Sequence, residues 1–566
     1  MNNLNNNQDK INLEDLNDFK FIFIILFLLS MVAYGFLAFN LTITGDEWRS
    51  VYEPLDNMRW FLTIGRWGNV LLWHLFHNNV FAPALTLFLA CALFIFSGYI
   101  GCKLFSIKNK IECTLFISLF LFSPILAEPF SYKFYHIGYG VSVFLVMLSL
   151  YFIKKIFNEK NNLRSIILSK YLFYIILMLT FSFGTYQSAA LLFLCTSFAL
   201  LLIRFSKLSK IRTLIKEALV IFSFGIISIV LSLLISKLIL IICKISPTSA
   251  EKYTFGFINS ISDLLYTLER FLSYFSQFLF REQHLWPFPV KLVYLVFLVV
   301  FSTLFLFHSK IIKFHSIKVR EFKPVKFLFF LLFLCLFLIS PWILGIIRIP
   351  PNSYRHNALL GLIMVYPFIV VYAIKMINNI KIKIGLRVLA IYIVISFMAF
   401  QNVASLATYT SNMRDMHVAS NILSKVEILN NKSDFKRLFL FGTTVDRDKR
   451  PFRYGVRGGL KPMGTSAVEW GVLSSHIFRI ENLMRMVSFR DKNDFVGVTT
   501  ASISWRLILR LTKNRRENKK ILLKKVQESD IWPSNKSVVF MNENVIVFLD
   551  QDSKNRTIQI LKKMLE

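Results

Sequence analysis

Charged residues are scarce in this 566-residue chain: they make up 17% of it, where a soluble domain carries about 25%. Acids are scarcer still, 33 Asp and Glu against 66 Lys and Arg, for a formal net charge of +33. Cysteine is sparse too. The six, Cys91, Cys102, Cys113, Cys195, Cys243 and Cys335, lie in or beside apolar runs with no Cys-x-x-Cys or Cys/His spacing. That argues against a disulfide scaffold or zinc site and for buried free thiols. The P-loop, the glycine fingerprint of a dinucleotide-binding βαβ unit and the His-Glu-x-x-His zinc motif are missing as well.

What the chain has instead is apolar length. Hydrophobic residues make up 55% of it and 59 are Phe, more than one water-soluble core absorbs. They fall into runs of about 17–25 residues, the length that crosses roughly 30 Å of hydrocarbon as helix. Eleven spans are expected, at 21–43, 81–102, 113–127, 137–153, 171–184, 188–203, 218–243, 290–308, 327–345, 358–374 and 388–407. Residues 1–20 are a polar, Asn-rich leader. No short apolar segment with a small-residue cleavage site follows, so the first run reads as a retained anchor. The fold class is a polytopic α-helical membrane protein, and disorder and a soluble enzyme are excluded.

In a soluble protein a charge of +33 points to nucleic acid. In a membrane protein its placement comes first, because Lys and Arg collect in cytoplasmic loops. With the N-terminus inside, the five inside loops (103–110, 154–170, 204–216, 310–326 and 375–387) hold 23 Lys and Arg, against ten in the outer stretches up to residue 357. The expected orientation is therefore N-terminus cytoplasmic, with residue 408 onward outside and no nucleic-acid partner. Residues 21–407 then form the membrane domain and 408–566 a small outer α/β domain. In that domain 437–444 and 537–550 read as strands and 501–528 as a basic helix. Its charge is +13, from 29 Lys and Arg and 16 Asp and Glu.

Ionisable residues at the edge of the hydrocarbon are costly unless used, and they cluster in the outer loops. The first such loop, 44–79, opens on Thr44-Gly45-Asp46-Glu47-Trp48-Arg49 and continues to Gly65-Arg66-Trp67. Asp46 and Glu47 are placed as a base or a metal-ligating pair, since an Asp near its ordinary pKa of about 3.9 is ionised at neutral pH. They would equally serve as interfacial charges paired with Arg49 or Arg66. The loop Ala127 to His136 puts Glu128, Tyr132, Lys133 and Tyr135 together; the rings suit sugar faces and Lys133 an anion, or the segment is an aromatic belt at headgroup level. Tyr186 and Gln187, in an uncharged turn, either bind substrate or satisfy that turn. Arg348 to Asn357 is short and basic. Its Arg355 can clamp a phosphate and His356 opens the next span, or its cations merely snorkel.

These segments, in this order along the membrane, resemble a known family. Gly45-Asp46-Glu47-Trp48-Arg49 after the first span, Gly65-Arg66-Trp67 ahead of the second, the Glu128–Tyr135 loop and Tyr186-Gln187 together resemble the GtrII-type bacterial O-antigen glucosyltransferases of the GT-C superfamily, over residues 20–410. Such sequences often carry Asp-Asp at Asp46-Glu47 and Gly-Arg-Pro at Gly65-Arg66-Trp67. The resemblance implies an inner-membrane enzyme that moves glucose or a related sugar from a polyprenyl-phosphate donor onto the O-antigen of lipopolysaccharide at the periplasmic face, by single inverting displacement. Asp46 would be the general base and Glu47 its partner. Arg66, Lys133 and Arg355 would hold the donor phosphate, and Arg49, Trp67, Glu128, Tyr132, Tyr135, Tyr186, Gln187 and His356 the substrates. No cofactor is implied, and a divalent ion at Asp46 and Glu47 is possible but not expected. Alternatives are another envelope enzyme of this build, such as an O-antigen ligase or polymerase, a lipid-linked-sugar flippase or transporter, and a non-enzymatic assembly protein. Nearly charge-free spans, acids at one mouth and no internal repeat argue against transport.

Overall fold

The computed structural model of the chain describes residues 13–40, 54–76, 83–159, 171–207, 211–245, 288–309, 311–315, 318–343, 360–429, 437–441, 498–499 and most of 508–566, with isolated positions between 260 and 272. Each of the eleven expected spans contains a helix. In chain order, with the shorter helices between them, these are α1 (Leu13–Phe39), α2 (Pro54–Thr63), α3 (Trp67–Phe76), α4 (Pro83–Leu104), α5 (Lys110–Leu121), α6 (Ala127–Ser131), α7 (His136–Glu159), α8 (Tyr171–Thr185), α9 (Ala189–Lys207), α10 (Ile211–Ile242), α11 (Phe288–His308), α12 (Pro324–Ile339), α13 (Leu362–Met376) and α14 (Ile380–Leu429).

Among the described residues eight helices are long and apolar enough to cross a membrane. The other three expected spans, α5, α8 and α13, have 12, 15 and 15 residues, short of the roughly 20 that crossing requires. The fold is thus a polytopic helical membrane protein, with eight full-length helices among the described residues where eleven spans were expected. Pro124 shows one reason: the third apolar segment leaves helix at Phe122 and enters a tight turn, Pro124–Leu126.

Two connections differ from expectation. The loop 44–79, expected outside, contains the helices α2 and α3, and the loop after α11, expected inside, contains an antiparallel hairpin, β1 (Ile312–His315) with β2 (Lys318–Phe322). The Ala127–Tyr135 segment is no open belt either. α6 and a 3-10 turn over Lys133–Tyr135 fold it inward, with Phe130, Tyr132, Lys133 and Phe134 all buried.

Four of the five loops expected inside meet at one end of the bundle. Lys154 of α7 donates to the Lys103 carbonyl at 2.7 Å, and Lys375 of α13 to the Ser106 carbonyl at 2.8 Å. Arg204 of α9 grips both carboxylate oxygens of Glu217 on α10 and also donates to Asn158. Asn109 and Asn379 cap α5 and α14 by accepting from the second and third backbone N–H groups after them. Between those helix starts Glu112, 3% exposed, holds Lys383 at 2.8 Å and Arg387 at 3.1 Å. Removing one partner of a buried ion pair leaves the other charges uncompensated. Glu112→Ala is therefore expected to lower stability by about 3 kcal/mol, read as a fall in the thermal unfolding midpoint in detergent; an unchanged midpoint would show that the two cations find water instead.

The described residues of 13–39 and 58–405 form one compact unit, and those from 406 onward belong to a second. α14 runs without a break through residue 408, where the membrane domain was expected to end. In the second unit β3 (Arg437–Phe441), β4 (Val498–Thr499), β5 (Val538–Met541) and β6 (Asn544–Phe548) form a sheet of order β4-β3-β6-β5. β3 is parallel to both of its neighbours and β5–β6 is antiparallel. The stretch 537–550, read as one strand, is therefore two. The basic helix expected over 501–528 is α15 (Arg516–Glu528), set off from the helical residues before it by Lys513 and Asn514 at φ 47° and 56°. A last helix, α16 (Gln551–Leu565), was not foreseen. Leu522, Val526 and Leu561 of the two helices pack on Phe439, Val539, Ile546 and Phe548 of the sheet.

Candidate functional site

The site is built on a helix corner. At the end of α2 the Arg66 N–H donates to the Phe61 carbonyl (2.8 Å) and the Gly65 N–H to Leu62 (3.0 Å), with Gly65 at φ +78°. This is the Schellman ending of a helix, whose left-handed position favours glycine. The Arg66 carbonyl then accepts from Asn69 and Val70 and so starts α3. Both backbone groups of Arg66 are thereby committed, and its side chain leaves the corner in a set direction.

That side chain meets two other segments. Arg66 Nε donates to Gln187 Oε1 at 3.2 Å, and Gln187 Nε2 donates in turn to the Ile64 carbonyl at 2.6 Å. The Gln187 amide therefore satisfies one of the carbonyls that α2 leaves open at its end. The guanidinium carbon stands 5.1 Å from the Tyr135 ring and 4.8 Å from the Tyr186 ring, contacts worth about 0.5–2 kcal/mol each. Tyr139 completes the cage, edge-on to Tyr186 at 4.4 Å and 5.9 Å from Tyr135, while Tyr132 lies 5.9 Å from Tyr135 on its other side. Burial opposes the charge of Arg66, but the Tyr135, Tyr186 and Tyr139 hydroxyls outweigh it, and its pKa lies above the ordinary value. Among the described residues its side-chain partners are all neutral, so the site presents a fixed, half-buried cation.

Glycines set the corner against the bundle. A Cβ on Gly68 would lie 2.3 Å from Thr185 Oγ1, one on Gly138 2.3 Å from Asn69 Oδ1, and one on Gly184 2.2 Å from Trp67. Trp67 also meets Phe181 edge-on at 5.5 Å, and Trp73 stacks on Phe134 at 3.5 Å. The Trp67 Nε1 and Asn69 Nδ2 donors are buried here without a hydrogen-bond partner among the described residues.

Depth follows from helix arithmetic. Tyr135 precedes Lys154 of the basic end by 19 residues along α7, and Ser236, which approaches Gly65, follows Glu217 by 19 along α10. At 1.5 Å per residue each interval is about 28 Å, close to the roughly 30 Å of a bilayer's hydrocarbon. The Arg66 corner is thus one hydrocarbon thickness from the basic end.

Of the residues singled out in the sequence, Arg66, Tyr135, Tyr186 and Gln187 converge here, and Trp67 wedges the corner in place. Tyr132 and Lys133 are buried at the head of α7, Lys133 at 1% exposure. Asp46, Glu47, Arg49, Arg355 and His356 lie outside the described residues, as does the side chain of Glu128. Sequence reasoning missed Tyr139, Asn69 and the Gly68, Gly138 and Gly184 contacts. The run His136-Ile137-Gly138-Tyr139-Gly140 did carry a signal, a second Tyr one helical turn after Tyr135 flanked by two small residues. Among the described residues no group of three His, Cys, Asp or Glu side chains could hold a metal ion.

A family model for the GtrII glucosyl transferases matches residues 35–372, which span the whole corner. No curated protein and no solved structure matches the chain.

Proposed function

The chain belongs to the GtrII glucosyl transferase family and is a membrane glycosyltransferase; from that premise we propose that it takes its sugar from a polyprenyl-phosphate donor. The observation that carries the proposal is the Arg66 cage: a fixed cation among tyrosines, one hydrocarbon thickness from the basic end of the bundle. A lipid-linked sugar places its phosphate at that depth. With the basic end in the cytoplasm, the site faces the periplasm of a bacterial inner membrane, and so do residues 408–566. The acceptor is a glycan of lipopolysaccharide, on the O-antigen.

In the proposed reaction an acceptor hydroxyl attacks C1 of the sugar while its proton passes to the Asp46 carboxylate. The bond from C1 to the phosphate oxygen breaks, the configuration at C1 inverts, and polyprenyl phosphate leaves with the electron pair. The phosphate gains negative charge as it departs. Arg66, Lys133 and Arg355 balance that charge electrostatically, without a metal. Glu47 orients Asp46 or the acceptor. Tyr132, Tyr135 and Tyr186 offer ring faces and hydroxyls to the sugar, with Arg49, Glu128 and His356 at its rim. Gln187 serves through Arg66.

The test is donor identity. Membranes holding the protein, given polyprenyl-phosphate glucose labelled in the sugar, are expected to pass label to lipopolysaccharide with no nucleotide sugar present. Transfer that requires a nucleotide sugar and ignores the lipid donor would overturn the reading.

A further inference from the structure

We infer that Lys237 is a further cation for the donor phosphate, standing where an exposed apolar face of α10 meets the Arg66 corner, so that one lipid phosphate is held by Lys237 as well as Arg66. The inference rests on the lipid-phosphate reading above and names a residue that reading does not include.

Lys237 is anomalous in its own helix. From Ala218 to Cys243 every other residue is uncharged, and α10 offers only this ionisable group along its apolar length. Such a charge at the edge of the hydrocarbon is costly unless it has work. Its position gives it some. α10 turns a stripe of serines inward, with Ser228, Ser232 and Ser236 buried, and the last of these reaches the corner: Ser236 Oγ lies 3.5 Å from where a Cβ on Gly65 would sit. With consecutive Cα atoms 3.8 Å apart, the Lys237 Cα is at most about 11 Å from that of Gly65. Two long side chains on neighbouring backbones at that spacing can converge on one phosphate.

The other side of the turn supplies the second half of the ligand. Lys237 is itself exposed, and Leu233, Leu234, Leu238 and Ile241 beside it are 52%, 56%, 56% and 74% exposed. An apolar flank ending in a cation matches a molecule with a long apolar tail and an anionic head. An ordinary phospholipid has the same broad chemistry. What distinguishes the polyprenyl phosphate is its need for Arg66 as well: a headgroup held by snorkelling of Lys237 alone needs nothing from Arg66.

The experiment uses the full-length protein in nanodiscs of phosphatidylcholine. Binding of polyprenyl phosphate is titrated for the unaltered protein, Lys237→Gln, Lys237→Arg and Arg66→Gln, and each titration is repeated with phosphatidylglycerol as competitor. Lys237→Gln is expected to weaken polyprenyl phosphate binding about tenfold, Lys237→Arg to stay within about threefold, and phosphatidylglycerol to compete poorly throughout. In turnover Lys237→Gln should raise the donor KM about tenfold with kcat within about twofold. Weakening at Arg66→Gln but not at Lys237→Gln would overturn the assignment of Lys237 and leave the donor reading standing. So would effective competition by phosphatidylglycerol that Lys237→Gln abolishes, which marks a headgroup contact. Unchanged binding in every variant would overturn both.

Discussion

Asp46→Asn is expected to lower sugar transfer by at least 100-fold while the protein still inserts and folds. The change swaps one oxygen for an NH2 group of similar size, so it removes the proposed base and little else. An ordinary Asp is ionised at neutral pH, with a pKa near 3.9, whereas the amide cannot take a proton from the attacking hydroxyl. General-base assistance is typically worth 10²–10⁴-fold. A polyprenyl phosphate is already a competent leaving group, so the base rather than an acid carries most of what proton transfer contributes. The loss should therefore fall on kcat, with the donor KM within a few-fold. Glu47→Gln should do less, about tenfold, and mainly through the acceptor KM. The measurement is initial transfer of labelled sugar from the lipid donor at several donor concentrations. Asp46→Asn with undiminished kcat would remove the base from Asp46 and return it to the role of an interfacial charge.

The helices were legible because a membrane makes the rule one-dimensional: an apolar run long enough to span has to be helix, since no water is present to satisfy its backbone. The rule locates spans and is blind to how a run ends. The turn at Pro124 truncates the third, and α14 continues to Leu429, well past its apolar part. The charge pattern has a counterpart in the fold, because Lys154, Lys375, and Lys383 and Arg387 with Glu112 prove to make contacts that tie the basic end together. At the site, Arg66, Tyr135, Tyr186 and Gln187 could each be singled out as unusual residues in segments between the apolar runs. Their meeting could not be read. Arg66 and Gln187 are 121 residues apart, and nothing local in either segment records the bond. Tyr139 and Lys237 were passed over because each sits inside an apolar run, where one Tyr or one Lys looks like filler. Only the corner formed by Gly65 shows that both border the same place.

The contact between Gly184 and Trp67 should carry the second large effect. A methyl group on Gly184 would lie 2.2 Å from Trp67 Cε2 and 2.3 Å from its Nε1, far inside van der Waals contact. The indole cannot simply swing away, because Phe181 meets it edge-on at 5.5 Å, so the start of α3 has to retreat. Arg66 is the residue before Trp67 and its carbonyl begins α3; it moves with the helix and leaves the Tyr135–Tyr186 cage. Overpacking of this kind costs about 1–3 kcal/mol of stability, which a well-packed bundle survives. A displacement of about 1 Å in a charge-positioning group can cost about 100-fold in rate. Gly184→Ala is therefore expected to fold and insert yet transfer sugar about 100-fold more slowly. The decisive comparison is a double variant. Leucine lacks the ring atoms that the new methyl would strike, so Trp67→Leu alone should cost less than tenfold, and Gly184→Ala with Trp67→Leu should recover to within about tenfold of the unaltered protein. The pair would then be strongly non-additive, as contacting residues are. Transfer rates of the four proteins, normalised to the amount in the membrane, decide it. Additive losses would mean that Gly184 acts by some route other than the ring of Trp67, and that the position of Arg66 does not depend on the fit between them.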